Sequence, residues 1–181
     1  MATLTVWRFD DPDGAKRAEH ALAELEKKEL IQVVDAATVS WPEGKKKPRT
    51  RQSTNMVAAG TLGGMFWGTL FGLIFFVPLL GLVVGAASGA LAGSLTDVGI
   101  DDDFIDSVRQ KVTPGTSALF VLTNSAVVDR VHTELRERGI RGELLETNLS
   151  HEQEARLRAA LEEDNEDERA AHLEAAQAAK A

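Results

Sequence analysis

A stretch of 45 residues without a charged side chain divides this sequence into two polar parts. From Gln52 to Thr96 there is no Asp, Glu, Lys or Arg, although the whole chain carries 20 basic and 28 acidic residues. Val77-Pro78 splits its apolar part into Val57–Phe76 and Leu79–Thr96, of 20 and 18 residues. As helices rising about 1.5 Å per residue, both halves are long enough to cross a hydrocarbon core of roughly 30 Å. Because proline ends one helix and can begin the next, the sequence predicts a helical hairpin that turns at Val77 and Pro78.

Glycine recurs at every fourth position in both halves of this charge-free segment. The positions are Gly60, Gly64, Gly68, Gly72, Gly81, Gly85, Gly89 and Gly93. On a helix this spacing leaves a groove that lets a second helix approach closely, as in small-xxx-small membrane pairs. In water each glycine costs about 1 kcal/mol relative to alanine, so the pattern needs a compensating environment such as a bilayer. We therefore expect a glycine-zipper hairpin that packs within and between copies of the chain, and not a flexible buried loop.

The bulky apolar residues of the segment gather around the expected turn, between Phe66 and Val84. The two bases, Val57–Gly64 and Ala86–Thr96, consist mostly of Ala, Gly, Ser and Thr. The Leu, Ile, Phe and Val residues of the first helix supply only about −4 kcal/mol of insertion energy. We expect the bases to pack against neighbouring hairpins and the tip to contact lipid or the core of an oligomer.

The flanks follow the order β-α-β…β-α-β. Alternating β-branched and aromatic residues predict strands, and apolar spacing with Asn/Ser and Gly boundaries predicts helices. The strands are predicted at Thr3–Phe9, Ile31–Trp41, Ser117–Thr123 and Ile140–Leu149, and the helices at Ala15–Leu30, Ile100–Val112, Asn124–Gly139 and from Ser150 to about Glu162. This order predicts an α+β, ferredoxin-like split-βαβ fold: a four-stranded antiparallel sheet with helices on one face.

The predicted domain organisation follows from this insertion. Residues 1–51 form the first βαβ half and a basic linker, 52–99 the hairpin, 100–149 the second half, and 150–181 a C-terminal helix with an acidic, Ala-rich tail.

A basic linker precedes the charge-free segment. Its cations are Lys45, Lys46, Lys47, Arg49 and Arg51. Positive residues beside a membrane helix favour the cytoplasmic side and contact anionic headgroups, so we expect lipid contact here; the alternative is a solvated linker. The net charge of −8 and the absence of aromatic residues within the run argue against nucleic-acid binding.

The sequence contains no recognisable catalytic, cofactor or metal motif. There is no cysteine, which excludes thiol chemistry and disulfides. The acidic run Asp101–Asp106 lacks EF-hand spacing and suits the first turn of a helix. The histidines, His20, His132, His151 and His172, form no metal-binding pair. We therefore expect a protein that is not an enzyme.

Four blocks of the sequence resemble a known family. They are VSWPEGKKKPRTRQ, GGMFWGTLFGLIFFVPLLG, LTDVGIDDDFI and VTPGTSALFVL. They resemble the bacterial domain-of-unknown-function 1269 family of predicted membrane proteins over about Thr3 to Leu157. The resemblance implies membrane association and carries no activity or functional residues.

These patterns support a membrane-embedded homo-oligomer with a structural role, whose partners are its own copies and membrane lipids. Since the N-terminus lacks the pattern of a signal peptide, both termini are expected in the cytoplasm. The alternative is a soluble cytoplasmic ring, cage or filament that buries its hairpins in a shared apolar centre. A third hypothesis is a domain that senses a small ligand on its sheet.

Overall fold

The two polar parts of the chain contribute strands to one sheet. The computed structural model describes residues 3–53, 63–76, 100, 102–123 and 128–147, all within a unit spanning residues 1–148. Five strands pair antiparallel in the order β3-β2-β4-β1-β5. Their bounds are β1 Thr3–Phe9, β2 Val33–Trp41, β3 Arg49–Gln52, β4 Thr116–Thr123 and β5 Glu143–Thr147. The α+β class and the antiparallel sheet expected from the sequence are confirmed.

Two helices cover one face of the sheet. They are α1, Gly14–Lys27, and α4, Val128–Glu137. The α1 helix buries Ala18, Leu22 and Leu25, a stripe at helical spacing, and packs on β2 and β4. Trp7 of β1 stacks on His132 of α4, with ring centroids 6.0 Å apart. Two residues after α4, Gly139 has a φ of +70°, which suits glycine, and the Ile140 amide donates to the Leu135 carbonyl at 2.8 Å.

The opposite face of the sheet is also covered. Along β1, β2 and β4, alternate residues present a largely apolar surface to this side; its buried apolar members are Leu4, Val6, Ala37, Val39, Ala118 and Phe120. Helix α2, Gly63–Phe71, continues as a π-helical turn, Gly72–Phe76, and both pack here with helix α3, Asp102–Lys111. Residues 63–76 of the charge-free segment thus form a layer of the domain core. The expectation that helices occupy only one face was wrong, because an apolar second face also requires cover.

The structure adds a strand that the sequence did not predict. Residues 49–52 of the basic linker form the edge strand β3, which pairs with β2 from Ser40↔Arg49 to Ala37↔Gln52. Cationic residues are common on edge strands because they oppose pairing with a further chain. The two aspartates in the first turn of α3, Asp102 and Asp103, confirm the expected helix start in the acidic run.

Several predictions fall outside the described residues. These are the turn at Val77 and Pro78, the second hairpin helix Leu79–Thr96, the C-terminal helix and tail 150–181, and Gly60, Gly81, Gly85, Gly89 and Gly93. Within the part of the chain that is described, no helix combines the length and apolarity that a bilayer crossing requires.

Candidate functional site at the charge-free helix

The bulky apolar side chains of the charge-free helix lie against the sheet. The buried set is Trp67, Leu70, Phe71, Ile74 and Phe75, none more than 4% exposed. Their spacing places them in one stripe along α2 and the π turn. Phe71 meets Phe120 of β4 edge to face, with ring centroids 5.1 Å apart, and Trp67 contacts the same ring at 6.1 Å. These residues were expected to contact lipid or an oligomer core, and the structure gives them an intramolecular partner instead.

The magnitude of this burial explains why the segment packs on the sheet. Burying one large apolar side chain stabilises a protein by about 1.5–3 kcal/mol, so five give on the order of 10 kcal/mol. The first helix gains only about 4 kcal/mol from its Leu, Ile, Phe and Val residues on bilayer insertion. Protein packing is therefore a sufficient environment for residues 67–75.

Two glycines of the ladder, Gly68 and Gly72, lie off the stripe that faces the sheet. Gly68 is exposed and Gly72 is partly exposed, while Gly64 lies in the first turn of α2. No atom of the described residues lies within 4 Å of a Cβ built at Gly68 or Gly72. These two glycines are consequently not required by packing against the sheet.

A buried carboxylate fixes the beginning of the charge-free helix. Asp35 of β2 is 6% exposed and shares a sheet face with Ala37 and Val39. Its Oδ2 accepts hydrogen bonds from the Trp67 indole Nε1 at 2.8 Å and the Gln52 amide Nε2 at 2.9 Å. Its Oδ1 accepts from the Ala36 amide at 2.8 Å. Because Gln52 ends β3 and Trp67 lies in α2, one carboxylate ties the entrance of the segment to its helix.

Ser53 follows Gln52 in the sequence, and its described hydrogen bond is made by its backbone. The Ser53 amide donates to the Ala36 carbonyl at 2.8 Å, which extends the β2–β3 pairing. The Ser53 side chain is 1% exposed, and its Oγ has no hydrogen-bond partner among the described residues. The chain therefore enters the charge-free segment from a buried, polar corner of the sheet.

An arginine of α3 fixes the other end of the helix. Arg109 Nε donates to the Ile74 carbonyl at 2.9 Å, and its Nη2 donates to the Leu73 carbonyl at 2.8 Å. Its Nη1 pairs with Asp106 at 2.5 Å. A planar guanidinium can bind two neighbouring carbonyls together. Arg109 thus ties the π turn to α3.

The cations of the basic linker have different surroundings. Lys45, Lys46 and Lys47 are exposed in the loop between β2 and β3, and Arg49 is exposed at the start of β3. Arg51 instead forms a 2.5 Å ion pair with Glu19, a carboxylate of α1 that is 4% exposed. The predicted group of five is therefore divided, and Arg51 has an internal role.

Sequence reasoning missed the three polar residues that hold the helix: Asp35, Trp67 and Arg109. A signal was present in the sequence, since Asp35 interrupts the apolar strand IQVVDAATV and Trp67 carries the only indole donor in the charge-free segment. Their partners could not be inferred, because 32 residues separate Asp35 from Trp67 and 35 separate Ile74 from Arg109.

The arrangement is suited to holding a helix. Asp35 is hydrogen-bonded to Gln52, Trp67 and a backbone amide, and Arg109 to two backbone carbonyls. Among residues 3–53, 63–76, 102–123 and 128–147, no three His, Asp or Glu side chains are grouped as a metal site would need.

Comparison with known protein families gives a match. The model of the family described as "Protein of unknown function (DUF1269)" matches residues 61–162, from α2 through β5 and beyond. No curated protein and no solved structure is significantly similar to the chain. The expected family is confirmed; the match includes the VGIDDDF block, begins after the WPEGKKKP block, and covers fewer residues than the expected Thr3–Leu157. Since the match covers more than half of the 181 residues, the chain belongs to the DUF1269 family.

Proposed function

We propose that this protein is a non-enzymatic, membrane-associated structural protein that forms homo-oligomers through the glycine-lined face of its charge-free segment. Its framework is a ferredoxin-like split-βαβ domain with a glycine-zipper insert. The strand order β5-β1-β4-β2 supports this framework, and β3 extends it at one edge.

The proposal rests on the observation that Gly68 and Gly72 lie on the side of α2 and the π turn that faces away from the sheet. The five bulky apolar residues are occupied by the sheet, whereas Gly68 is exposed and nothing in the described structure surrounds its Cβ position. A glycine in the middle of a helix costs about 1 kcal/mol relative to alanine, and contacts within the described structure do not compensate for it. A second helix lying close to the Gly68–Gly72 face would compensate, as in small-xxx-small pairs.

A matched pair of substitutions at Gly68 tests self-association. Gly68→Leu should leave the protomer folded, because the added side chain meets no described atom, and should abolish the oligomer measured by analytical ultracentrifugation in detergent. Gly68→Ala keeps the residue small and should retain the oligomer. An oligomer that survives Gly68→Leu unchanged would rule out the glycine face as the interface.

The second candidate is a soluble ring, cage or filament. The observation favouring it is that the sheet already covers Trp67, Leu70, Phe71, Ile74 and Phe75, so these residues need no lipid. Flotation of the full chain through a density gradient after a high-salt wash separates the candidates. Protein that floats with lipid supports the membrane-associated form, whereas protein that remains dense and large supports the soluble assembly.

A further inference from the structure

The lysine loop lies beside the end of the charge-free helix, although it precedes that helix in the sequence. Trp41, the last residue of β2, contacts Phe75 edge to face at 6.1 Å between ring centroids. Its indole Nε1 donates to the Lys45 carbonyl at 2.8 Å. The lysines and the exit of the π turn therefore share one end of the domain. The Asp35 end, where the segment enters, is at the other end of β2.

This end presents a mixed apolar and cationic surface. We define the tip surface as Trp41, Lys45, Lys46, Lys47, Leu73 and Phe76. The three lysines are exposed, and the three apolar residues are only partly buried against the core. Aromatic rings beside lysines are typical of protein surfaces at the bilayer interface.

Several acidic groups near this end are paired with arginines. Asp10 pairs with Arg8 at 2.7 Å, and the same guanidinium contacts Glu143 at 3.5 Å. Asp106 pairs with Arg109 at 2.5 Å. The side-chain hydrogen bond from Arg17 keeps the pKa of Asp11 below its usual value, so that carboxylate is also compensated. Of the acidic residues in the β1–α1 and β2–β3 loops, Asp13 and Glu43 have no described ion pair. The three lysines of the β2–β3 loop outnumber these two carboxylates.

We infer that the tip surface is the face of the domain that lies against an anionic lipid bilayer. The inference rests on the proposed membrane association and adds its orientation. The chain leaves the described residues at Phe76, at this end of the domain, and its sequence remains uncharged from there to Thr96. The lysines then meet lipid phosphates. The Asp35 corner and the α1–β2 loop point away from the membrane.

Orientation can be measured with a probe at each end of the sheet, because the chain has no cysteine of its own. Glu43→Cys places a label in the lysine loop, and Gln32→Cys places it at the exposed residue just before β2, at the opposite end. Each full-length variant is labelled with an environment-sensitive dye and mixed with vesicles of phosphatidylcholine containing 30% phosphatidylserine. We expect a blue shift of the dye emission at position 43 and none at position 32.

The outcomes separate the orientation from membrane association itself. Vesicle flotation accompanied by a shift only at position 32, or at neither position, would overturn the inferred orientation while leaving membrane association intact. Failure to float with any vesicle would overturn both the orientation and the membrane-associated form of the proposed function. Oligomerisation is read out independently by the Gly68 variants.

A charge-matched pair of double variants tests the lysines. Lys46→Gln with Lys47→Gln removes two cations from the tip surface and leaves the Lys45 carbonyl bond to Trp41 in place. Each lysine near an anionic surface contributes about fivefold to binding, so vesicle binding should fall about 25-fold. Lys27→Gln with Lys28→Gln removes two exposed cations at the far end of α1 and should change binding less than twofold. Equal effects of the two double variants would contradict a specific lysine contact.

Discussion

At the scale of single residues, Phe9 shows how tightly the face beneath α1 is packed. The Phe9 ring is 1% exposed and lies between two glycines. A Cβ at Gly14 would lie 2.4 Å from the Phe9 Cβ, and one at Gly142 would lie 2.7 Å from its Cε1. Because Gly14 packs against the Cβ and Cγ atoms of Phe9, the ring has little room to move away from Gly142. Both glycines are therefore required by space.

Gly142→Ala should destabilise the protein by about 1–3 kcal/mol, the usual cost of an overpacked core. Urea unfolding followed by circular dichroism measures the change. Gly68→Ala is the control, because the same methyl group meets open space there and should stabilise α2 by up to about 1 kcal/mol. In a Phe9→Leu background, which removes Cε1, the cost of Gly142→Ala should shrink. Equal costs in both backgrounds would show that the ring is not the obstacle.

The Asp35–Trp67 hydrogen bond can be tested with a double-mutant cycle. Trp67→Phe removes the indole donor and retains an aromatic ring in contact with Phe71 and Phe120. Asp35→Ala removes the acceptor. A hydrogen bond to a buried charged group contributes about 1.5–3 kcal/mol, so the coupling energy from urea unfolding should lie in this range. Additive effects of the two substitutions would mean that the bond does not hold α2 to β2.

At the scale of elements, the π turn depends on a partner from another helix. A π-helical turn is rare and commonly lies at a functional position within a longer helix. Here Arg109 of α3 binds the carbonyls of Leu73 and Ile74, so the turn and α3 support each other. This pairing fixes the point from which the chain continues into Val77.

Arg109→Lys should loosen the π turn while leaving α2 in place. A lysine ammonium lacks the planar geometry that binds two carbonyls side by side. Amide hydrogen exchange should therefore accelerate at residues 73–76 and stay unchanged at residues 67–70. Asp106→Asn provides the control, since it removes only an exposed partner of Arg109 and should alter stability by less than about 1 kcal/mol. Unchanged exchange at residues 73–76 would contradict the role of Arg109 in holding the π turn.

Elements were predictable from the sequence where they carry their own periodic signal. Alternation in TLTVWRF and SALFVLT predicted β1 and β4, and apolar spacing predicted α1. The strand β3, with the sequence RTRQ, has no apolar alternation, because it lies at an edge and is paired only with β2. Its pairing is a property of β2 and could not be predicted locally. The contacts of Arg109 could not be predicted either, because its partners are backbone carbonyls, which every residue type carries.

At the scale of the whole molecule, the first half of the charge-free segment belongs to the domain. Its apolarity predicted a helix; residues 63–76 are helical, and Trp67, Leu70, Phe71, Ile74 and Phe75 are buried. Apolarity alone could not distinguish burial in lipid from burial on a sheet. The deciding feature is the second apolar face of the sheet, formed by residues such as Val6, Val39 and Phe120. These lie far from the segment in sequence, and only the assembled strand order brings them together.

Because residues 63–76 cover the sheet, two deletions in the charge-free segment should have opposite outcomes. Replacing Met56–Thr96 with a Gly/Ser linker removes α2 and the π turn and exposes the face containing Val6, Val39 and Phe120. The product should bind the dye ANS, lose near-ultraviolet circular dichroism and aggregate. Replacing only residues 77–99 with a similar linker keeps Trp67, Phe71 and Phe75 in place, so this variant should unfold cooperatively in urea. If the larger deletion gave an equally cooperative, ANS-silent protein, the sheet would not need the segment. The segment would then be a separable insertion, as its composition alone suggested.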